Sequence, residues 1–183
     1  MIRTMRENRD VSRPITSVVT LVALLFSLTA CGGATRSTRI DYQMGERVPL
    51  EPFTYNVIEA TWRSQLGTTF NLRLPQSRFL IVNISITNGG GKEMSIPTFQ
   101  LEKPNGDLVP EEMKGEGVDQ WLGLIRTIGP AQTLQGRIVF DCPLSSYKIR
   151  MTDGGEPGTE KIGFVEIPLR LDPESPVSAP PVN

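Results

Sequence analysis

The clearest pattern along the chain is an alternation of apolar and polar positions with a period of two. It runs from Arg78 to Asn88, where four aliphatic side chains share one face and three polar side chains share the other. The aliphatic face holds Leu80, Val82, Ile84 and Ile86, and the polar face holds Asn83, Ser85 and Thr87. This period predicts a half-buried β-strand. The glycines at 89–91 allow the positive φ angles of a turn after it.

Further strands follow from weaker patterns. Gly136 to Cys142 places Ile138, Phe140 and Cys142 on one face, and Pro143 ends the run. The weaker strands are Phe53 to Trp62, Phe70 to Leu74, Pro97 to Lys103, Tyr147 to Met151 and Phe164 to Leu171. Pro104–Asp107 has the composition of a hairpin turn, and the 17 glycines and 15 prolines also suit a fold with many turns. Seven or more short strands at this spacing predict an all-β, two-sheet sandwich.

One segment does not follow the strand pattern. Val118, Trp121, Leu122 and Ile125 fall at helical spacing. Val118 to Ile125 is therefore either a short helix or an irregular strand. Trp121 lies in this least regular segment, beside an acidic stretch, and we predict that it contributes to an interaction surface.

The first thirty residues have the pattern of an export signal. Four arginines lie before position 14, and no charge follows up to Ala30. Leu28-Thr29-Ala30-Cys31 resembles the lipobox of bacterial lipoproteins, in which the cysteine receives a diacylglycerol and becomes the new first residue. The alternative is an uncleaved membrane helix, but 17 uncharged residues are short where about 20 are usual. We therefore predict lipidation at Cys31, with the membrane bound through that lipid.

The domain organisation follows from these boundaries. We predict a signal peptide at 1–30, a flexible tether at 31–45, a β-sandwich at 46–171 and a disordered, proline-rich tail at 172–183. The predicted location is the extracytoplasmic side of a bacterial cell membrane or outer membrane. Gly32 after the cysteine favours the outer membrane if the bacterium has two membranes.

Composition excludes several classes of function. The chain has no histidine, which removes histidine general bases and most catalytic metal sites. Without the first thirty residues the net charge is about −3, so no nucleic-acid partner is expected. The acidic residues Glu111, Glu112, Glu116 and Asp119 could hold calcium, but a solvated loop explains them equally well. We predict no catalytic residue, no cofactor and no metal.

The chain has two cysteines, and lipidation of Cys31 leaves only Cys142. An intramolecular disulfide is then impossible. Cys142 lies at an apolar position of its strand, so we predict that it packs as a small hydrophobic residue.

Several strand and turn sequences resemble those of a bacterial group of domains of unknown function. They are Phe53–Val57, Arg78–Asn88, and Gly129-Pro130 leading into Gly136–Pro143, within a resemblance that spans about Arg47 to Leu171. This group has an immunoglobulin-like, telokin-like sandwich and includes the immunoprotective extracellular proteins of mycobacteria. The resemblance implies an exported, often lipid-anchored module, and it transfers no catalytic residue.

Two functions from different classes remain. The preferred one is a lipid-anchored, non-enzymatic binding or structural module of the cell envelope, with a protein or a cell-wall polymer as partner. The alternative is an envelope hydrolase or ligand carrier that uses carboxylates in a cleft of the sandwich.

Overall fold

Between residues 39 and 170, the part of the chain that the computed structural model describes, the chain forms eleven β-strands and no helix. The strands are β1 (Arg39–Gln43), β2 (Arg47–Leu50), β3 (Phe53–Arg63), β4 (Phe79–Asn88), β5 (Met94–Ser95), β6 (Gln100–Glu102), β7 (Leu108–Pro110), β8 (Thr127–Ile128), β9 (Thr133–Asp141), β10 (Tyr147–Thr152) and β11 (Ile162–Ile167). The predicted signal peptide, Cys31 and the predicted tail at 172–183 lie outside the described residues. Within them, no helix is long and apolar enough to cross a membrane.

Nine of these strands form two sheets. Sheet one has the order β1-β11-β10-β6-β7, and sheet two has the order β2-β3-β4-β9. The short strands β5 and β8 pair with each other. β1 runs parallel to β11, and the other paired strands are antiparallel. The predicted all-β sandwich is therefore confirmed.

The core lies between the two sheets. In β4 the aliphatic face predicted from the period of two is fully buried, and its polar face is only partly buried. The rings of Tyr55 in sheet two and Phe99 before β6 meet edge to face, with centroids 5.7 Å apart. The hydroxyl of Tyr55 donates a 2.8 Å hydrogen bond to the carbonyl of Thr152 in sheet one. Trp62 and Tyr147 make a second ring contact between the sheets, with centroids 6.2 Å apart.

Strand β9 is buried on the face predicted from the sequence, and part of its other face is buried as well. Ile138, Phe140 and Cys142 are buried in the main core as predicted. Val139 points to the opposite face, where it is also fully buried, in a second apolar cluster with Leu66 and Phe79. A buried residue on the outer face means that loops cover this part of sheet two.

The predicted tether differs from the structure. Arg39–Gln43, which we placed in a flexible segment, form strand β1 along the edge of β11. The guanidinium of Arg39 lies 3.8 Å from the ring centroid of Phe164, and Tyr42 packs partly against the core. The sequence of β1 shows no alternating pattern because the strand is mostly polar. It forms by pairing with β11, which is more than a hundred residues away in the chain.

The predicted strand Phe70 to Leu74 is wrong. These residues belong to a loop between β3 and β4, in which Leu66 and Arg73 form only an isolated bridge. Their apolar side chains alternate as in a strand, but they are exposed instead of buried. Two other strands are displaced or shorter than predicted, since only Gln100–Glu102 is regular within 97–103 and β11 ends at Ile167.

The segment Val118 to Ile125 is neither a helix nor a regular strand. It runs beside β9, where the amide of Arg137 donates to the carbonyl of Gln120 and the amide of Leu122 donates to the carbonyl of Arg137. The predicted turn at Pro104–Asp107 is confirmed between β6 and β7, with Gly106 at φ +88°.

A candidate interaction surface at one end of the sandwich

The loop at residues 64–78, which we call the tip loop, lies at the end of the sandwich where β3 ends and β4 begins. Arg63 pairs with Phe79 at this end, and Trp62 contacts Tyr147 of sheet one nearby. Arg39 is paired with Ile162, which lies next to Thr152 at the opposite end of sheet one. The chain therefore enters the sandwich at one end and displays the tip loop at the other.

Backbone hydrogen bonds close the tip loop. The amides of Leu66 and Arg73 each donate a 2.9 Å hydrogen bond to the other residue's carbonyl. Within the closed loop, the amide of Asn71 donates to the carbonyl of Thr68 at 3.0 Å. Gly67 has φ +86°, and a Cβ there would lie 2.0 Å from the carbonyl oxygen of Asn71. This position requires glycine for both its conformation and its space.

Side chains fasten the tip loop to the rest of the domain. The guanidinium of Arg73 donates to the carbonyl of Lys114 at 2.7 Å, pairs with the carboxylate of Glu112, and lies 4.7 Å from the ring centroid of Phe79. At the other end of the loop, the carboxylate of Asp141 accepts from the amides of Gln76 and Ser77. The loop is irregular, yet it is held at several points along its length.

The tip loop covers the second apolar cluster and leaves other apolar side chains in solvent. Leu66 of the tip loop is buried against Phe79 and Val139 of sheet two. Phe70 is 94% exposed and Leu74 is 68% exposed, and Met113 on the neighbouring segment is 78% exposed. A contiguous patch of exposed apolar side chains is typical of a contact surface, whereas scattered ones are common on any protein.

The carboxylates of the acidic stretch do not converge. Glu112 pairs with Arg73, and Asp119 lies 3.7 Å from Arg137. Glu111 is buried and pairs with Arg126 at 2.5 Å. Within residues 39–170, no three acidic or cysteine side chains are grouped as metal ligands. Three of the four carboxylates in the acidic stretch therefore pair with three different arginines.

The Glu111–Arg126 pair differs from the others because both side chains are almost fully inaccessible. One oxygen of Glu111 accepts from Arg126 and from the amide of Phe99, each at 2.5 Å. Its second oxygen and two of the Arg126 nitrogens have no hydrogen-bond partner in the structure. Burial raises the pKa of Glu111, and the opposing effects of Arg126 and the Phe99 amide are smaller.

Trp121, predicted from the sequence as an interaction residue, is half-buried. Its indole ring lies against Gly115, where a Cβ would come within 1.9 Å of the ring, and its Nε1 is buried without a partner. Its role in an interaction surface stays a prediction. Phe70, which the sequence analysis placed in a strand, is much more exposed. The flanking Gly67 and Pro75 are the sequence signal that could have marked 68–74 as a loop.

Of the two cysteines, the structure describes only Cys142. Cys142 is 1% exposed and belongs to the main core, which confirms the prediction that it packs as a small hydrophobic residue. Burial raises the pKa of its thiol to about 11. The predicted lipidation site, Cys31, lies outside the described residues.

Solved structures support the same fold. The yjhA protein of Bacillus subtilis matches with a TM-score of 0.51 and 14% identity over 68% of this chain and 99% of its own. MPT63, a secreted protein of Mycobacterium tuberculosis, matches with a TM-score of 0.51 and 12% identity over 72% of this chain and 99% of its own. The proposed lipoprotein ycdA of Bacillus subtilis matches with a TM-score of 0.52 and 13% identity, over 70% of this chain but only 39% of its own. These identities establish the fold alone.

No curated protein matches the chain. The family described as Domain of unknown function (DUF4352) matches residues 42–161, which is more than half of the sequence and most of the sandwich. The chain belongs to this DUF4352 family of domains of unknown function.

Proposed function

We propose that this protein is a lipid-anchored, non-enzymatic binding module of the bacterial cell envelope. The sequence Leu28–Cys31 supports the anchor because it resembles a lipobox. The similar structures support an extracytoplasmic location, since one is a secreted protein and another is a proposed lipoprotein. Three of the four carboxylates of the acidic stretch pair with three different arginines, which favours a binding role over hydrolysis by a carboxylate pair.

The observation that carries the proposal is the exposure of apolar side chains on a fastened loop. Phe70 and Leu74 are exposed although Arg73 and Asp141 hold the loop that carries them. Exposed apolar surface favours association with a partner. A loop that is already fixed loses less conformational entropy on binding than a mobile one. The tip loop is thus suited to insert its apolar side chains into an apolar groove on another envelope protein.

The position of the tip loop supports this role. A chain held at Cys31 enters the sandwich at Arg39, and the tip loop lies at the opposite end of the sandwich. The length of the strands then separates the point of entry from the proposed contact surface. A partner could reach the tip loop without displacing the segment that leads to the lipid.

Site-specific photocrosslinking in intact cells tests the binding surface. A photoreactive residue at Phe70 is expected to capture a specific protein. The same residue at Ile125, which is 98% exposed on the segment before β8, serves as the matched control and is expected not to capture it. Binding of the captured partner to the purified protein should then weaken at least about tenfold on Phe70→Ser and remain unchanged on Ile125→Ser. Equal capture from both positions, or full affinity of the Phe70→Ser protein, would contradict the proposal.

The anchor has a separate test. Palmitate labelling of the wild-type protein is expected to be lost on Cys31→Ser, with the label absent also from the truncated protein beginning at Arg39. The wild-type protein should have an intact mass above that of its amino acids from position 31 by the mass of the lipid. A native protein that begins at Met1 or has no added mass would refute the lipid anchor and leave the crosslinking result unaffected.

A further inference from the structure

A cavity of about 340 Å³ lies on the outer face of sheet two, under the tip loop and beside the segment that carries Asp119. This volume is at the lower end of the range for small-molecule sites. Its floor is a row across three strands, in which Glu59 pairs with Asn83 and Asn83 pairs with Arg137. Its walls include Gln65–Gly67 of the tip loop and Gly117, which packs on Gly67 without room for a side chain.

A β-bulge gives the cavity its charged side chains. Tyr55 and Val57 face the core, so in a regular strand Glu59 would face it as well. The register of β3 against β4 shifts between Val57 and Glu59. After this shift Trp62 faces the core, and Glu59, Thr61 and Arg63 line the cavity on the outer face. Bulges commonly redirect side chains next to functional sites.

The protein itself pairs the charged side chains of the cavity only weakly. Glu59 and Arg63 are exposed and form no ion pair with another residue in the range 39–170. They are four residues apart on one strand, which separates their Cα atoms by about 13 Å. Among residues 39–170 the guanidinium of Arg137 forms one ion pair, with Asp119 at 3.7 Å, and the Asp119 side chain is 95% exposed. An exposed pair of this kind is weak, so another carboxylate can replace Asp119 at Arg137.

One negative and one positive side chain of the cavity, Glu59 and Arg137, lie on opposite sides of Asn83. Glu59 and Arg137 flank Asn83 on the neighbouring strands, so their Cα atoms are about 10 Å apart. Both side chains are long enough to extend over the central amide. A ligand above Asn83 would meet a carboxylate on one side, a guanidinium on the other, and amide and hydroxyl groups between them. Arginine is well suited to hold a carboxylate because its planar group donates two parallel hydrogen bonds.

We propose that this cavity binds a small zwitterion with a free ammonium and a free carboxylate, such as a short peptide. The ammonium lies at Glu59, the carboxylate lies at Arg137, and the backbone of the ligand lies over Asn83. This inference goes beyond the proposed function, because it does not require the tip loop to contact a protein.

Equilibrium dialysis of the full-length chain in detergent micelles tests the proposal with the dipeptide Ala-Ala as the probe. Saturable binding with a Kd in the millimolar range or below is expected. N-acetyl-Ala-Ala lacks the ammonium and Ala-Ala amide lacks the carboxylate, so each should bind at least about tenfold more weakly. Absence of saturable Ala-Ala binding, or equal binding of all three peptides, would overturn the inference.

Variants assign the two ends of the ligand. Glu59→Gln should weaken Ala-Ala binding at least about tenfold and leave the weak binding of the acetylated peptide unchanged. Arg137→Gln should weaken Ala-Ala binding at least about tenfold and leave the weak binding of the Ala-Ala amide unchanged. Arg47→Gln is the control, because Arg47 lies on the same sheet but does not line the cavity. Thermal unfolding of each variant establishes that it is folded; full Ala-Ala affinity in a folded Glu59→Gln protein would refute the assignment.

Discussion

The buried pair of Glu111 and Arg126 is the residue-scale feature that most strongly couples parts of the fold. It joins the segment after β7 to the segment before β8, and Glu111 also accepts from the amide of Phe99. Removing one partner leaves an uncompensated charge in a site from which water is excluded, which typically costs about 3–5 kcal/mol. Replacing both partners with apolar residues removes that penalty together with the attraction.

We therefore expect Glu111→Leu and Arg126→Met each to lower the free energy of unfolding by about 3–5 kcal/mol. The double variant should be more stable than either single variant. Urea denaturation of the four proteins measures the coupling. Lys148→Ala is the control, since its pair with Asp41 is partly exposed and should contribute at most about 1 kcal/mol. Additive losses in the Glu111 and Arg126 variants would show that the two charges are not coupled.

A second residue-scale prediction concerns the contact between Gly115 and Trp121. A Cβ at position 115 would lie 1.9 Å from the indole ring, and the ring is itself half-buried. Gly115→Ala should displace Trp121 and cost about 1–3 kcal/mol, as overpacking usually does. Gly91→Ala is the matched control, because no atom lies within 4 Å of the added Cβ. Urea midpoints that fall equally in both variants would contradict the contact.

Among the elements of the fold that the structure describes, only strand β1 lies within the segment 31–45 that the sequence predicts as a tether. It adds a parallel edge strand to sheet one and brings Arg39 over the ring of Phe164. Its loss would remove ladder hydrogen bonds and the partial burial of Tyr42, for a total of about 2–5 kcal/mol. It would also leave β11 as an open edge.

We predict that a protein lacking residues 1–43 has a Tm roughly 10 °C below that of a protein lacking residues 1–38. The two proteins differ only in β1, so the comparison isolates this strand from the predicted signal and lipid. Differential scanning calorimetry gives both values. Equal Tm values would mean that residues 39–43 behave as a tether after all.

The elements that could be predicted from the sequence are those with a strong local period. β4 alternates between apolar and polar residues from Val82 to Thr87, and the apolar face of β9 includes Ile138 and Phe140, so burial on one side could be predicted for both. The loop at 68–74 shows the same alternation but has no partner strand, and an alternating pattern does not show whether a partner strand is present.

The cavity on sheet two could not be predicted, because it depends on the bulge after Val57. This bulge changes which residues of β3 face outward from Glu59 onward. The Glu111–Arg126 pair was missed because the acidic stretch gives no sign of which carboxylate is buried.

At the scale of the whole molecule, the two sheets share one core. Tyr55 reaches Thr152, and Trp62 reaches Tyr147, so each sheet completes the packing of the other. A domain of this size with one core usually unfolds in a single cooperative step. Cys142 lies in that core, which makes its thiol a reporter of the opening of the whole sandwich.

In a protein lacking residues 1–38, Cys142 is the only cysteine. At pH 8 its thiol should be protonated in the folded state, because its pKa is about 11, and burial should also exclude a thiol reagent. We expect labelling to be at least about a thousandfold slower than in denaturing urea, since typical stabilities leave a thousandth or less of the chains unfolded. The labelling rate should rise with urea with the slope of global unfolding. A protein carrying Cys142→Ser and Met113→Cys is the control, and its exposed thiol should react at the rate of a free thiol. Rapid labelling of Cys142 without urea would show that β9 opens locally and that the two sheets do not unfold together.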